Sequence, residues 1–524
     1  MHSSITLTIG MVLLASHLAY AATLRVANVG DVNSLDPHAQ SESLHSSFTG
    51  NMYEPLVGRD KNMKIEPLLA TDWARSSATL WRFNLRRGVR FHDGRLFSAD
   101  DVVFSLERAA ADTSARKFST ASFKQVRKID EHTIEIETLA PLVILPEMIS
   151  NIPIMSKSWC EQHKVLAPAD RRSGVRSAAD FIANGTGPFK LKERQPDFRT
   201  VLVRNTTYWG TIDGNLDEVI FTPIVNDASR VAALVSGQVD VMEPTPLSDR
   251  ERIRSTGRFD VLEGPELRTI YLGMDQSRDE LLFSNVRGRN PFRDKRVRQA
   301  MYQAIDAEAI RRNVMRNASI STALMVAPGV RGFQADMNTR PAYDPVAAKR
   351  LLVEAGYPEG FEVVMHCTND RYVNDDEICQ AIAAQLARVG ILVRVTTESK
   401  SRFFPRMGRR ETSFYMMGWT PYTVDAHNVL SAVMATPNGA EQGNVNFGSY
   451  SNSRVDELTR LIGYETDEAK RDAMIREAFK IHQDDIGHIP LHQQALAWGV
   501  SRRVRLVQLP NSHMPFKWVS ISPD

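Results

Sequence analysis

An α/β protein of two or three domains is what this sequence predicts, on three observations. Residues 361–367, 375–389 and 391–396 read as strand, helix and strand: Ile378, Ile382, Leu386 and Val389 keep helical spacing, while Ile391, Val393 and Val395 alternate. Such a βαβ unit closes with a right-handed crossover, in a sheet covered by helices. Alternating strands also recur far away, at 24–27, 81–85 and 133–137. Finally, 524 residues are too many for one simple core.

Formal charge is +2 with 24% charged residues, so no electrostatic bias points to nucleic acid or a membrane surface. There is no low-complexity run and no repeat of fixed period. Residues 5–18 are apolar over the length of a signal-peptide core and too short for a comfortable membrane span. Ala19-Tyr20-Ala21 follows with the small-x-small pattern of a cleavage site, although no Lys or Arg precedes the apolar run. Export with cleavage after Ala21 or Ala22 is expected, with a signal peptide over 1–21. No Cys near the cut supports a lipid anchor.

Cys160, Cys367 and Cys379 are too few for a disulfide framework. Cys367 and Cys379 stand at a strand end and on the next helix, which can approach each other. A disulfide is one reading; buried free thiols are the blander and preferred one.

Along the chain, Leu24–Ala27 is the first strand and Ser34–His38 a turn. Trp81, Phe83 and Leu85 alternate; Val89 and Phe91 resume the alternation after Arg86-Arg87-Gly88, and Asp93-Gly94 is a second turn. Ser98 and Asp101 make a capping-box-like pair ahead of a helix through Ala109. The polar stretch 165–183, with Arg171, Arg172 and Arg176, reads as a solvated surface. Asn184-Gly185-Thr186-Gly187-Pro188-Phe189 lacks the Lys-Ser/Thr and the helix that a phosphate loop needs. Gly237 closes a helix over 232–237. Thr269–Gly273 is strand-like, Asp344-Pro345 opens a helix ended by Gly356 and Pro358, and Ile489–Trp498 is a late strand.

No catalytic signature is present: no G-x-S-x-G, no H-E-x-x-H, no Walker lysine, no G-x-G-x-x-G after a strand. His482, His488 and His492 cluster, but Pro490 interrupts the helix that would bring two of them onto one face, so a structural role is expected. No enzyme activity, metal or cofactor is expected.

The particular residues of the Trp81 unit say more. Trp81-x-Phe83-x-Leu85-Arg86-x-Gly88-Val89-x-Phe91-His92-Asp93-Gly94, followed by Phe97-Ser98-Ala99-Asp100-Asp101-Val102-Val103-Phe104-Ser105, closely resembles the signature of family 5 extracellular solute-binding proteins. These are receptors of peptide, nickel and related ABC importers. Ser34-Leu35-Asp36-Pro37-His38, Tyr53-Glu54-Pro55-Leu56, Gly185-Thr186-Gly187-Pro188, Tyr208-Trp209-Gly210 and Phe292-x-Asp294-x-x-Val297-Arg298-x-Ala300 extend the resemblance.

The resemblance implies a two-lobed periplasmic-binding-protein fold with the ligand cleft between the lobes. Lobe I would comprise 22–64, 186–270 and 497–524, with 65–185 inserted as a subdomain; lobe II would be 271–496. It implies capture of short peptides or a peptide-like solute in the periplasm and delivery to the membrane permease of an ABC importer, by a monomer with no nucleic-acid partner. The same scaffold serving a nickel chelate, opine or oligosaccharide is the alternative.

Ligand-binding candidates follow residue by residue. Arg371 matches the arginine that grips the peptide carboxylate in dipeptide binders, a role suited to its fork. Trp419 belongs to the family's Gly-Trp motif, as a stacking or a core residue. Dipeptide binders place an Asp three residues later to hold the peptide amine; Tyr422 stands there instead. Either Asp425 takes over through a shifted loop, or the ligand lacks an ammonium group. His427, beside Asp425, and Tyr53 complete the candidates.

Overall fold

Two long antiparallel strands, Phe259–Met274 and Ile489–Ser501, form the spine of the molecule. The computed structural model describes residues 22–170, 174–439 and 442–523. The expected signal peptide, and Arg171 and Arg172 of the basic stretch, lie outside the described residues.

The spine sits within an 11-stranded sheet. One wing runs outward through Phe414–Trp419, Phe361–Thr368 and Ile391–Glu398. The other runs through Val241–Glu243, Thr23–Asn28, Glu218–Pro223, Arg199–Arg204 and Phe189–Gln195. In each wing a central strand has two parallel neighbours: Phe361–Thr368 in the first, Thr23–Asn28 in the second.

The expected βαβ unit is present, with its helix at Asp375–Ala387. That helix stops two residues before the predicted end, where Gly390, at φ 95°, turns the chain into the next strand. Cys367 and Cys379, both fully buried, are disulfide-bonded with Cα atoms 6.8 Å apart, which corrects the preferred free-thiol reading. The end of the Phe361–Thr368 strand and the second turn of the helix face each other closely enough for the bond.

The Trp81 unit builds a separate four-stranded antiparallel sheet, ordered Ala70–Arg75, Leu80–Leu85, Thr133–Thr138, Phe123–Asp130. Trp81, Phe83, Ile134 and Ile136 pack there against Val102 and Leu106 of the helix Ala99–Ala109. The capping box of Ser98 and Asp101 is formed. The strand expected at Val89 and Phe91 is only a single bridge, Arg90 to Leu96, because left-handed Gly88 and Gly94 turn the chain back too soon.

The signature turn docks on the glycine segment. His92 Nδ1 accepts from Gly185 N at 3.3 Å, and Asn184 Nδ2 donates to Asp93 Oδ2 at 3.0 Å. A Cβ on Gly185 would stand 2.0 Å from the Met52 carbonyl oxygen, so only glycine lets this segment lie against residues 51–53. Asp36, from the turn after the first strand, accepts both ends of the Arg108 fork at 2.9 and 2.6 Å and so ties the subdomain helix to it.

The largest apolar cluster crosses the spine, running from Val231 and Leu234 through Ile270 and Leu272 to Val363, Ile382 and Ile391. A second joins Leu24 and Val26 to Trp498, Phe516 and Val519, so the C-terminal segment packs on the first strand. A third holds Tyr415 and Met417 against Leu458, Ile475 and Phe479 of two late helices. His482 Nε2 lies 3.0 Å from His488 Nδ1 in a buried pair held neutral by desolvation. No described helix is long and apolar enough to cross a membrane.

Candidate functional site

The spine is interrupted at its middle. Pro265 pairs with Ala495 and Thr269 with Gln493, so Glu266, Leu267 and Arg268 together oppose Gln494 alone. A bulge of this kind breaks the ladder and re-aims side chains. The Arg268 guanidinium pairs with Glu266 at 2.9 Å, and both residues are buried. Gln494 Nε2 donates to Glu266 at 2.8 Å while its Oε1 accepts from Val373 N at 3.1 Å. Arg268 Nε donates to Thr420 Oγ1 at 3.2 Å. The bulge thereby holds the two loops that leave the C-terminal ends of Phe361–Thr368 and Phe414–Trp419, where open α/β sheets bind ligands.

Asp375 shapes the first of these loops. Its Oδ2 accepts from Thr368 Oγ1, Arg371 N and Tyr372 N at 2.6, 3.1 and 3.2 Å. Arg371 is thus presented beside the Tyr372 ring, 5.5 Å from its centroid, with Arg268 5.7 Å from the same ring. Among the described residues the Arg371 guanidinium makes no ion pair and no hydrogen bond. Burial and the Arg268 charge lower its pKa, with Glu42 and Glu266 acting the other way. Glu42, on the facing wing, receives Lys400 Nζ at 2.9 Å. Glu243, half-buried on Val241–Glu243, is raised to about 8 by desolvation and the Glu266 charge, against a hydrogen bond from Ser512 at 3.3 Å.

Next to this network a cleft of about 260 Å³ opens between the wings. Ser43, Ser46, Arg116 and His513 line one side and Thr420, Pro421 and Tyr422 the other. Several contacts close it: Arg59 Nη2 donates to the Thr423 carbonyl at 2.8 Å, Asn151 Nδ2 to the Tyr422 carbonyl at 3.1 Å, and Phe118 lies 4.3 Å from the Tyr422 ring. A larger shallow depression of about 970 Å³ lies on the outer edge of the wing that carries Phe361–Thr368 and Ile391–Glu398, lined by residues between 283 and 394 only. It receives nothing from the facing wing.

Of the six residues named from the sequence, Tyr53 and Tyr422 line the cleft, while Arg371 and Trp419 stand outside its lining, on the loop and strand held by the bulge network beside it. Trp419 is half-buried, and its Nε1 donates to Asn428 Oδ1 at 3.0 Å; Tyr422 is hydrogen-bonded to the same Asn428. Asp425 and His427 are committed elsewhere. Asp425 accepts Arg471 Nη1 at 2.9 Å and Nη2 at 2.7 Å, with both side chains 1% exposed, and also caps the following short helix through His427 N. Both of its oxygens are thus engaged by Arg471, and Asp425 is not among the residues that line the cleft. The His427 ring packs on Gly463 and bonds the Thr459 backbone, where burial lowers its pKa. Tyr53 backs the cleft wall but is fully buried, its hydroxyl accepting from Asn184 N at 3.2 Å. Glu42, Glu266, Arg268, Lys400 and Gln494 were missed by sequence reasoning. No local pattern marks them, because a bulge is defined by two strands more than two hundred residues apart.

Residues 64–441 match the family described as bacterial extracellular solute-binding proteins, family 5 middle. The chain is 27% identical over 509 residues to the dipeptide-binding protein of Escherichia coli K12, covering 91% of each chain. It is 26% identical over 506 residues to the glutathione-binding protein GsiB of Salmonella choleraesuis, covering 94% of this chain and 93% of that one. Its fold is similar to that of the periplasmic binding protein DppA of Helicobacter pylori, solved with the peptide STSA. The TM-score is 0.79 and the identity 23%, over 96% of this chain and 98% of that one.

Proposed function

The chain belongs to the bacterial extracellular solute-binding proteins of family 5, and from that premise we propose that it captures short peptides in the cleft between its wings and hands them to the membrane permease of an ABC importer. The wings act as the two lobes: 22–64, 186–270 and 497–524 with the inserted 65–185 on one side, 271–496 on the other. The observation that carries the reading is Arg371, whose loop is held by Asp375 beside the bulge network that adjoins the cleft, with no carboxylate of its own within ion-pairing reach among the described residues. A peptide carboxylate supplies the missing partner, in a bidentate geometry that suits the guanidinium. The names of the dipeptide- and glutathione-binding relatives support the ligand class.

Capture needs no chemistry on the solute. A ligand touching both lobes stabilises the closed form by its differential affinity for that form. The contacts from Arg59, Asn151, Phe118 and Lys400 to the facing wing belong to such a closed form. The buried Cys367–Cys379 disulfide suits an oxidising compartment, which supports a periplasmic location.

A thermal-shift screen of ligand-stripped protein against dipeptides, oligopeptides, sugars and metal chelates tests the proposal, because a ligand that binds only the folded state raises apparent stability. Stabilisation by peptides and not by the other classes is expected. Stabilisation by sugars or chelates alone refutes it.

A further inference from the structure

We propose that the cleft contains a second anion-binding point, built from Arg59 and Arg116, which selects solutes bearing a carboxylate in addition to the one Arg371 takes. The inference rests on the cleft being the capture site. It begins with charge. Arg59, Arg116 and Lys517 line the cavity, and the one carboxylate among the lining residues is Glu54. Glu54 is turned into the protein. Thr186 Oγ1, Tyr208 OH and Trp209 Nε1 donate to its oxygens at 2.8, 2.6 and 2.8 Å, and burial raises its pKa.

Arg116 is 4% exposed, yet it meets only two neutral acceptors: the Pro37 carbonyl at 3.2 Å and the Ser46 hydroxyl at 2.8 Å. Its Nη1 makes no hydrogen bond among the described residues. The carboxylate that acts on it from a distance, Asp36, is already gripped bidentately by Arg108. Arg59, half-buried, donates to two carbonyls, of Met63 and Thr423, and hydrogen-bonds no carboxylate among the described residues; Glu147 and Asp425 act on it only from a distance, and Asp425 is already gripped by Arg471. His513 feels both arginines, which with burial lower its pKa to about 4 and leave the ring neutral at pH 7.

Other buried arginines of the chain are neutralised differently. Arg108, Arg268 and Arg471 each have a carboxylate, and Arg298 has four backbone carbonyls. A buried charge without such partners is costly, and breaking or omitting one partner leaves that cost in place. An incoming carboxylate relieves it with charge-assisted hydrogen bonds.

Calorimetric titration of the ligand-stripped full chain with Ala-Glu and its neutral counterpart Ala-Gln, and with glutarate and its half-amide, tests this. The acid of each pair is expected to bind at least about tenfold tighter than the amide. Arg116→Gln and, separately, Arg59→Gln should erase the preference, while Arg116→Lys keeps part of it. Equal affinity for acid and amide in the unaltered protein overturns the inference, whether or not any variant folds. If neither dipeptide binds, peptide capture fails, and the glutarate pair alone decides: a tighter dianion keeps the second point, whereas equal or absent binding removes it as well.

Discussion

Asp425 and Arg471 are each 1% exposed and joined by two short hydrogen bonds, and Arg471 Nε also donates to the Ile462 carbonyl at 3.0 Å. This pair fastens the loop after Trp419 to the late helix Glu468–Asp485. Removing one member leaves a buried charge unpaired, so Asp425→Ala should destabilise the protein by about 3–5 kcal/mol. Urea unfolding of the variant measures this, and a midpoint equal to that of the unaltered protein speaks against an anchoring role. The residue was legible in the sequence as the first carboxylate after Trp419, but its use was not. Arg471 lies 46 positions away, and nothing in the local pattern says which cation a carboxylate will meet. Arg371 shows the opposite case: its place at a strand end is local, and the sequence could find it.

Among elements, the βαβ unit was readable to within two residues because its apolar periodicities are long and unambiguous. The capping box of the helix Ala99–Ala109 was readable for a different reason: it is a local polar pattern four residues long. The spine bulge was invisible, since Glu266 and Gln494 come from strands far apart in the chain. The disulfide was undecided by spacing alone. It closes a loop of 12 residues between strand and helix, and its loss should cost about 2–4 kcal/mol through the freedom returned to the unfolded chain. Denaturant unfolding of Cys367→Ser with Cys379→Ser, beside the oxidised parent, checks this; coincident transitions would contradict it.

For the whole molecule, two wings share one sheet through the Phe259–Met274 and Ile489–Ser501 spine, and the interruption in that spine lies beside the cleft. Glu266, Arg268 and Gln494 tie the interruption to the loops that carry Arg371 and Tyr422. On the proposed reading, ligand capture and closure are consequences of one arrangement: a solute carboxylate on Arg371 would lie close to Glu42, which Lys400 reaches from the facing wing. The most direct measurement is calorimetric titration of the ligand-stripped protein with the dipeptide Ala-Ala, repeated with Arg371→Ala. One peptide should bind per chain, and the substitution should weaken it by about 2–5 kcal/mol, as expected for truncating a buried charged partner. An affinity unchanged by Arg371→Ala would contradict the account.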